Sequence, residues 1–376
     1  VPLFVALVML FAAKAYKKGK YIYYILAAVF LGLGFYTYTS FTMMLVVLVL
    51  GLIYMIIARR KWLMQNWQKL LVSLAVFGLT VTPIVYANLK ISNNALSRTS
   101  DVSFLNKDLN NGQPIKALLS STAKTLLQYN FYGDANNRHN LSGQPYLNTF
   151  VGLMFILGIV VCVFNFKKPR YAFLLIIFAS MLIPTMVSAS AIPHGLRSIG
   201  TAVPVFILAG MGVNYLLFIW YKTFPVNKLA RITGVTIICL LLGLTLVQSY
   251  RQYFVAWAQD EKTYKAYNEV ANTIAKYLIK NNQSNVKNFI VINEYESMPI
   301  KFLTHDKGID YSIIDNQGLS NLPIQITQKE IIIVPNDTDY EKQIEALKAK
   351  FPNGKSSDVK SDFNGKLLFT VYEVSP

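Results

Sequence analysis

Leu147-Asn-Thr-Phe-Val-Gly-Leu-Met-Phe-Ile-Leu-Gly-Ile-Val-Val-Cys-Val-Phe-Asn-Phe166, followed at once by Lys167-Lys168-Pro169-Arg170, sets the fold class. Residues 147–166 carry no charge, and a helix of that length crosses roughly 30 Å of hydrocarbon. The basic cluster behind them is what a cytoplasmic connection carries. The pattern repeats outward from here, with apolar blocks near 1–13, 21–36, 41–58, 70–88, 171–189, 200–220 and 229–250. A composition of 53% hydrophobic and 13% aromatic residues excludes an ordinary soluble domain. The first block is short and the chain opens on Val1. The expectation is therefore a polytopic protein continuing upstream of Val1, not a signal peptide.

Charge orients the eight blocks. Of 36 Lys and Arg, 21 lie before residue 251, and 14 of these fall in every second connection. They are Lys14, Lys17, Lys18 and Lys20; Arg59, Arg60, Lys61 and Lys69; Lys167, Lys168 and Arg170; Lys222, Lys228 and Arg231. The positive-inside rule makes these cytoplasmic and sets 37–40, 89–146, 190–199 and everything after 250 on the outer face. The first 250 residues hold only three acids, Asp101, Asp108 and Asp134, all in the 89–146 loop. The net charge of +17 thus belongs to the membrane part and its anionic lipids. No basic patch with stacking aromatics points to nucleic acid. Cys162 and Cys239 lie inside blocks, where small core residues are expected and neither a disulfide framework nor a metal site is.

After Tyr250 the composition changes. Residues 258–281 have a helical period through Tyr264, Tyr267, Val270, Ile274 and Leu278. Short apolar runs at 288–293, 330–335 and 366–374 predict strands, and Tyr340–Lys350 predicts a helix stopped by Pro352 and Gly354. Residues 251–376 therefore form a small α/β domain, with no Gly-rich phosphate loop. Pro83, Pro184 and Pro204 are expected to kink or break helices, and the last two bracket 190–199.

Three outward segments carry chemistry. In Gly32-Leu-Gly-Phe-Tyr-Thr-Tyr-Thr-Ser40, Tyr36 and Tyr38 can bond a phosphate or sugar at the membrane surface, or belong to the ordinary aromatic belt. Asn130–Pro145 gathers Asp134, Arg138, His139 and Asn140 among turn residues. That density suits a polyhydroxylated ligand or a phosphate, for which Arg138 offers a fork. Asp134 and His139 also have the chemistry of an acid–base pair or of metal ligands, but a third ligand is not apparent, so no metal site is assigned. In Ala191–Gly200, Arg197 is the one charge of an apolar stretch, with His194 three residues before it. A cation at that depth is either functional or a snorkelling arginine.

Gly34-Phe-Tyr-Thr-Tyr-Thr-Ser40, Gly133–Pro145 and Pro193-His-Gly-Leu-Arg-Ser-Ile-Gly200 together resemble the bacterial and archaeal branch of the dolichyl-phosphate-mannose protein mannosyltransferase family, which is related to the aminoarabinose lipid A transferase. The resemblance covers 20–250. It implies a polytopic α-helical membrane protein of the C-fold glycosyltransferase kind, with the C-terminal α/β domain exoplasmic. Such enzymes pass a sugar from a polyprenyl-phosphate donor to an acceptor on the outer face of the plasma membrane.

By that resemblance Arg197 binds the donor phosphate with His194 nearby. Tyr36 and Tyr38 line the cavity, and Asp134, Arg138, His139 and Asn140 order the loop over it or touch sugar. The family's catalytic carboxylate sits in a first outer loop expected upstream of Val1, with Asp134 the second choice as base. No cofactor is assigned, and use of a divalent metal stays open. The acceptor, whether protein, lipid or glycan, is not specified. The competing class is a lipid-carrier or solute transporter, for which the apolar blocks lack an intramembrane Asp or Glu to relay protons.

Overall fold

The computed structural model describes residues 1–91, 102–283, 285–323 and 328–376. Asp101, with the rest of 92–101 in the expected outer loop, lies outside the described residues. The chain divides into two compact units, Val1–Val255 and Ala256–Pro376.

The first unit is helical: α1 (Pro2–Lys18), α2 (Tyr21–Gly34), α3 (Met44–Ile91), α4 (Lys107–Asn110), α5 (Pro114–Leu127), α6 (Thr149–Phe164), α7 (Pro169–Met186), α8 (Ala202–Thr223) and α9 (Lys228–Tyr250). Among the described residues, four helical stretches are long and apolar enough to cross a membrane: Thr39–Lys90, Pro169–Met186, Ile199–Thr223 and Lys228–Trp257. Tyr21–Gly34 and Thr149–Phe164 are shorter apolar helices. These define a multi-pass helical membrane protein.

The expected blocks 41–58 and 70–88 are the two limbs of α3, which breaks only at Arg59 (φ −142°, ψ 34°). Phe41 and Phe77 stand equally far along the chain on either side of Arg59, and both pack on Phe35, with ring centroids 5.6 and 5.7 Å apart. The limbs therefore fold back on each other. The Tyr54 hydroxyl donates to the Lys167 carbonyl (3.0 Å), Arg59 donates to the same carbonyl, and Lys69 reaches Gly19. The basic connections 14–20, 59–69 and 167–170 thus meet at one end.

Helices α6 and α8 cross with backbones touching. A Cβ on Gly158 would stand 1.8 Å from the Leu208 carbonyl oxygen, and one on Gly212 2.0 Å from that of Met154. Small residues at such crossings are how helices gain contact in lipid, where apolar burial alone drives nothing. Around the crossing, Phe155, Cys162, Phe178, Leu182 and Val205 form a core with Tyr129. Cys162 is buried as expected, but Cys239 is exposed on α9. Pro83 and Pro184 lie inside helices, and Pro204 falls in the first turn of α8.

The second unit runs α10 (Glu261–Ala266), α11 (Glu269–Lys280), β1 (Val286–Val291), α12 (Met298–Thr304), β2 (Tyr311–Ile314), α13 (Asn316–Ser320), β3 (Lys329–Pro335), α14 (Tyr340–Lys350), β4 (Lys355–Lys360) and β5 (Leu367–Val374). Its sheet has the order β2-β1-β3-β5-β4. β1 lies parallel to β2 and β3, while β5 lies antiparallel to β3 and β4. The single helix expected over 258–281 is two, because Asn268 takes the left-handed conformation (φ 57°) between them. That conformation is one Asn tolerates better than most residues.

Candidate functional site

The segment between α5 and α6 is a closed ribbon. Tyr146 and Leu147 donate backbone N–H groups to the carbonyls of Gln128 and Tyr129, and Gly133 and Gly143 do the same with Gly143 and Asp134. Gly133 is required by close approach, since a Cβ there would lie 2.3 Å from the Gln144 carbonyl oxygen. At the tip, the Asn136 N–H donates to Asp134 Oδ1 (2.8 Å) and the Asn140 amide donates to the Gln144 carbonyl (2.5 Å). Asn and Asp close turns through such side-chain bonds.

A second segment, 187–201, docks onto this ribbon. Asp134, only 2% exposed, accepts at Oδ2 from His139 Nδ1 (2.7 Å) and from the backbone N–H of Gly195 (2.8 Å). The His139 and His194 rings lie 4.9 Å apart. Tyr129 donates to Thr201 Oγ1 (2.7 Å), and Ser198 lies 3.4 Å from Gln128 Oε1. On its far side the segment is tied to α5 itself and to the stretch before it. The Ser121 hydroxyl donates to the Ser188 carbonyl (2.6 Å), and Ala189 N–H donates to that of Val102.

Arg197 is held inside this frame. Its Nη1 donates to Ser188 Oγ (2.5 Å) and to the Ser190 carbonyl (2.6 Å). Burial, with the neighbouring Arg197 cation adding to it, lowers the His194 pKa from 6.5 to about 4. His194 is therefore neutral at pH 7. Burial, then the nearby Asp134 carboxylate, raises the Tyr146 phenol above its ordinary range, so it stays protonated. Among the described residues, His194 Nδ1, Tyr146 Oη and Gln128 Nε2 are buried without a hydrogen-bond partner. Such orphans are uncommon in folded proteins.

The fold brings Asp134, His139, His194 and Arg197 together and anchors Asn140 beside them. Arg138 is exposed on the tip, its own N–H on Asn136 Oδ1. Tyr36 and Tyr38 are exposed, and Tyr36 donates to the Thr80 carbonyl (2.9 Å). They stand at the same end of the bundle, because the single turn Thr39–Met43 packs on Ile199–Thr201.

His194 also supplies the third ligand that spacing did not reveal. Asp134, His139 and His194 each offer a donor atom, all within 4.8 Å of one another, so the trio is able to hold a divalent ion. Asp134 is nonetheless engaged at both oxygens by the loops it joins, which suits an anchor better than a free base. Tyr146, Gln128 and Ser188 are site residues that the sequence did not single out. Tyr146 ends a motif read only to Pro145, and the other two carry no signal beyond polarity.

No family model matches the chain. No curated protein matches it. Among solved structures it is similar to the crystal structure of ArnT from Cupriavidus metallidurans bound to undecaprenyl phosphate, with 13% identity and a TM-score of 0.42, covering 93% of this chain and 68% of that one. A likeness of that size leaves family and activity to be argued from the site.

Proposed function

We propose that this chain is the membrane body of a glycosyltransferase that moves a sugar from a polyprenyl-phosphate donor to an acceptor at the outer face of the plasma membrane. The observation that carries this is the junction of Asp134 with Gly195, which sets neutral His194 and the clamped Arg197 side by side at one end of a membrane bundle. The opposite end gathers three basic connections, which by the positive-inside rule supports an outer-face site.

In the transfer, an acceptor hydroxyl attacks the sugar's anomeric carbon, the bond to the phosphate oxygen breaks, the polyprenyl phosphate departs with the electron pair, and the hydroxyl's proton passes to that phosphate or to water. Arg197 supplies positive charge where negative charge grows, and in a dry site such preorganised charge lowers the barrier. Neutral His194 adds no second cation and offers a hydrogen bond. Asp134 positions the loop that carries both, and no described residue is assigned as the base. On this reading the C-terminal unit is exoplasmic.

The test is binding of a fluorescent polyprenyl phosphate to the full-length protein in nanodiscs. Retention over a polyprenol lacking the phosphate, falling about tenfold or more in Arg197→Ala, is the expected result. Equal retention of phosphate and alcohol would refute the proposal.

A further inference from the structure

A second site lies on the other side of the same ribbon. A cavity of about 390 Å³ opens between the end of the ribbon, the start of α6 and the end of α9, within the size range of ligand sites. None of its eleven lining residues is charged. Asn130, Gln144, Gln248 and Gln252 line it, and among the described residues no intramolecular hydrogen bond engages those side chains. Amides carry donors and acceptors together, so four uncommitted ones match a ligand rich in hydroxyls and poor in charge. A phosphate would find no cation here, in contrast to Arg197.

The lower part of the cavity differs. Asn148 caps α6, accepting the Val151 N–H, so the wall changes there from polar loop to apolar helix. Leu153 and Ile156, one and two turns in, are 56% and 45% exposed on the outside of that helix. Phe131, also in the wall, is 67% exposed. Polar groups above an exposed apolar lane on a membrane helix describe an amphipathic ligand, headgroup in the cavity and chains in the bilayer.

We infer that this cavity binds the uncharged, hydroxylated headgroup of a membrane glycolipid, with its chains along Leu153 and Ile156. The site is separate from Arg197, and its occupancy is read without turnover, so it stands or falls independently of the transferase proposal.

The experiment uses the full-length protein in phosphatidylcholine nanodiscs, titrated with monoglucosyldiacylglycerol, phosphatidylglycerol, diacylglycerol or free glucose. Bound lipid is counted by native mass spectrometry, and amide exchange is followed over 144–153 and 248–252. The expected result is saturable retention of the glucolipid about tenfold above the other lipids, with slower exchange in both segments. Gln248→Leu with Gln252→Leu should lose that preference. Gln252→Glu, nearly isosteric, should lower it as well and serves if the double variant misfolds. Equal retention of phosphatidylglycerol or diacylglycerol, binding of free glucose as strong as that of the glucolipid, or a preference unmoved in both variants would overturn the inference.

Discussion

Asp134 Oδ2 accepts the backbone N–H of Gly195 at 2.8 Å, a bond between two loops whose partners stand 61 residues apart in sequence. The carboxylate also holds His139, so one buried acid helps to set the two histidines beside each other, His194 lying three residues before Arg197.

Replacing that acid should show the anchoring role. Asp134→Ala leaves the Gly195 N–H and the His139 ring without their partner, at a cost of about 1–3 kcal/mol for buried groups. Asp134→Asn, which keeps one acceptor, should cost less. Thermal unfolding in detergent orders the variants. Equal melting temperatures for wild type and Asp134→Ala would show that the junction is not anchored by this residue.

His194 gives a pH dependence with a defined sign. Its folded pKa of about 4 lies below the ordinary 6.5, so the unfolded chain takes up a proton first as pH falls. The stability held in its neutral form is complete above pH 6.5 and is lost as pH falls through about 4. Melting temperatures of wild type and His194→Gln from pH 7 to pH 4 should converge as the wild type loses this contribution. A wild-type melting temperature that rises on acidification relative to the variant contradicts the sign.

The crossing of α6 and α8 predicts an overpacking defect. Gly158→Ala puts a methyl group into the Leu208 carbonyl, costing about 1–3 kcal/mol if the helices only part slightly, and Gly158→Leu more. Gly210, with open space around it, is the control: Gly210→Ala should be neutral or better. A melting temperature unchanged in Gly158→Leu would mean that the helices do not pack as described.

Much of this was legible because hydrophobic length is a one-dimensional signal. The block 147–166 and its Lys167–Arg170 flank predicted α6 and its end. The turn at Arg59 was legible through its charges, not through Pro or Gly, since basic residues favour the membrane boundary. What the sequence hid was convergence. His194 could not be read as a partner of Asp134, because their contact depends on how two loops dock. In the sheet, β3 announced itself as Glu330-Ile-Ile-Ile-Val-Pro335. β4, Lys355-Ser-Ser-Asp-Val-Lys360, is an almost wholly exposed edge strand with no apolar alternation to find. β2 has only four residues, half-buried throughout.

The most direct test of the transferase account is sugar transfer itself. Full-length protein in vesicles is supplied with a polyprenyl-phosphate donor carrying a radiolabelled sugar and with a membrane extract as the source of acceptors, and label is followed into the acceptor fraction. The account predicts donor-dependent transfer that falls at least about a hundredfold in Arg197→Ala while the variant stays folded. Transfer undiminished in a well-folded Arg197→Ala, or none from any polyprenyl-phosphate donor by the wild type, would contradict it.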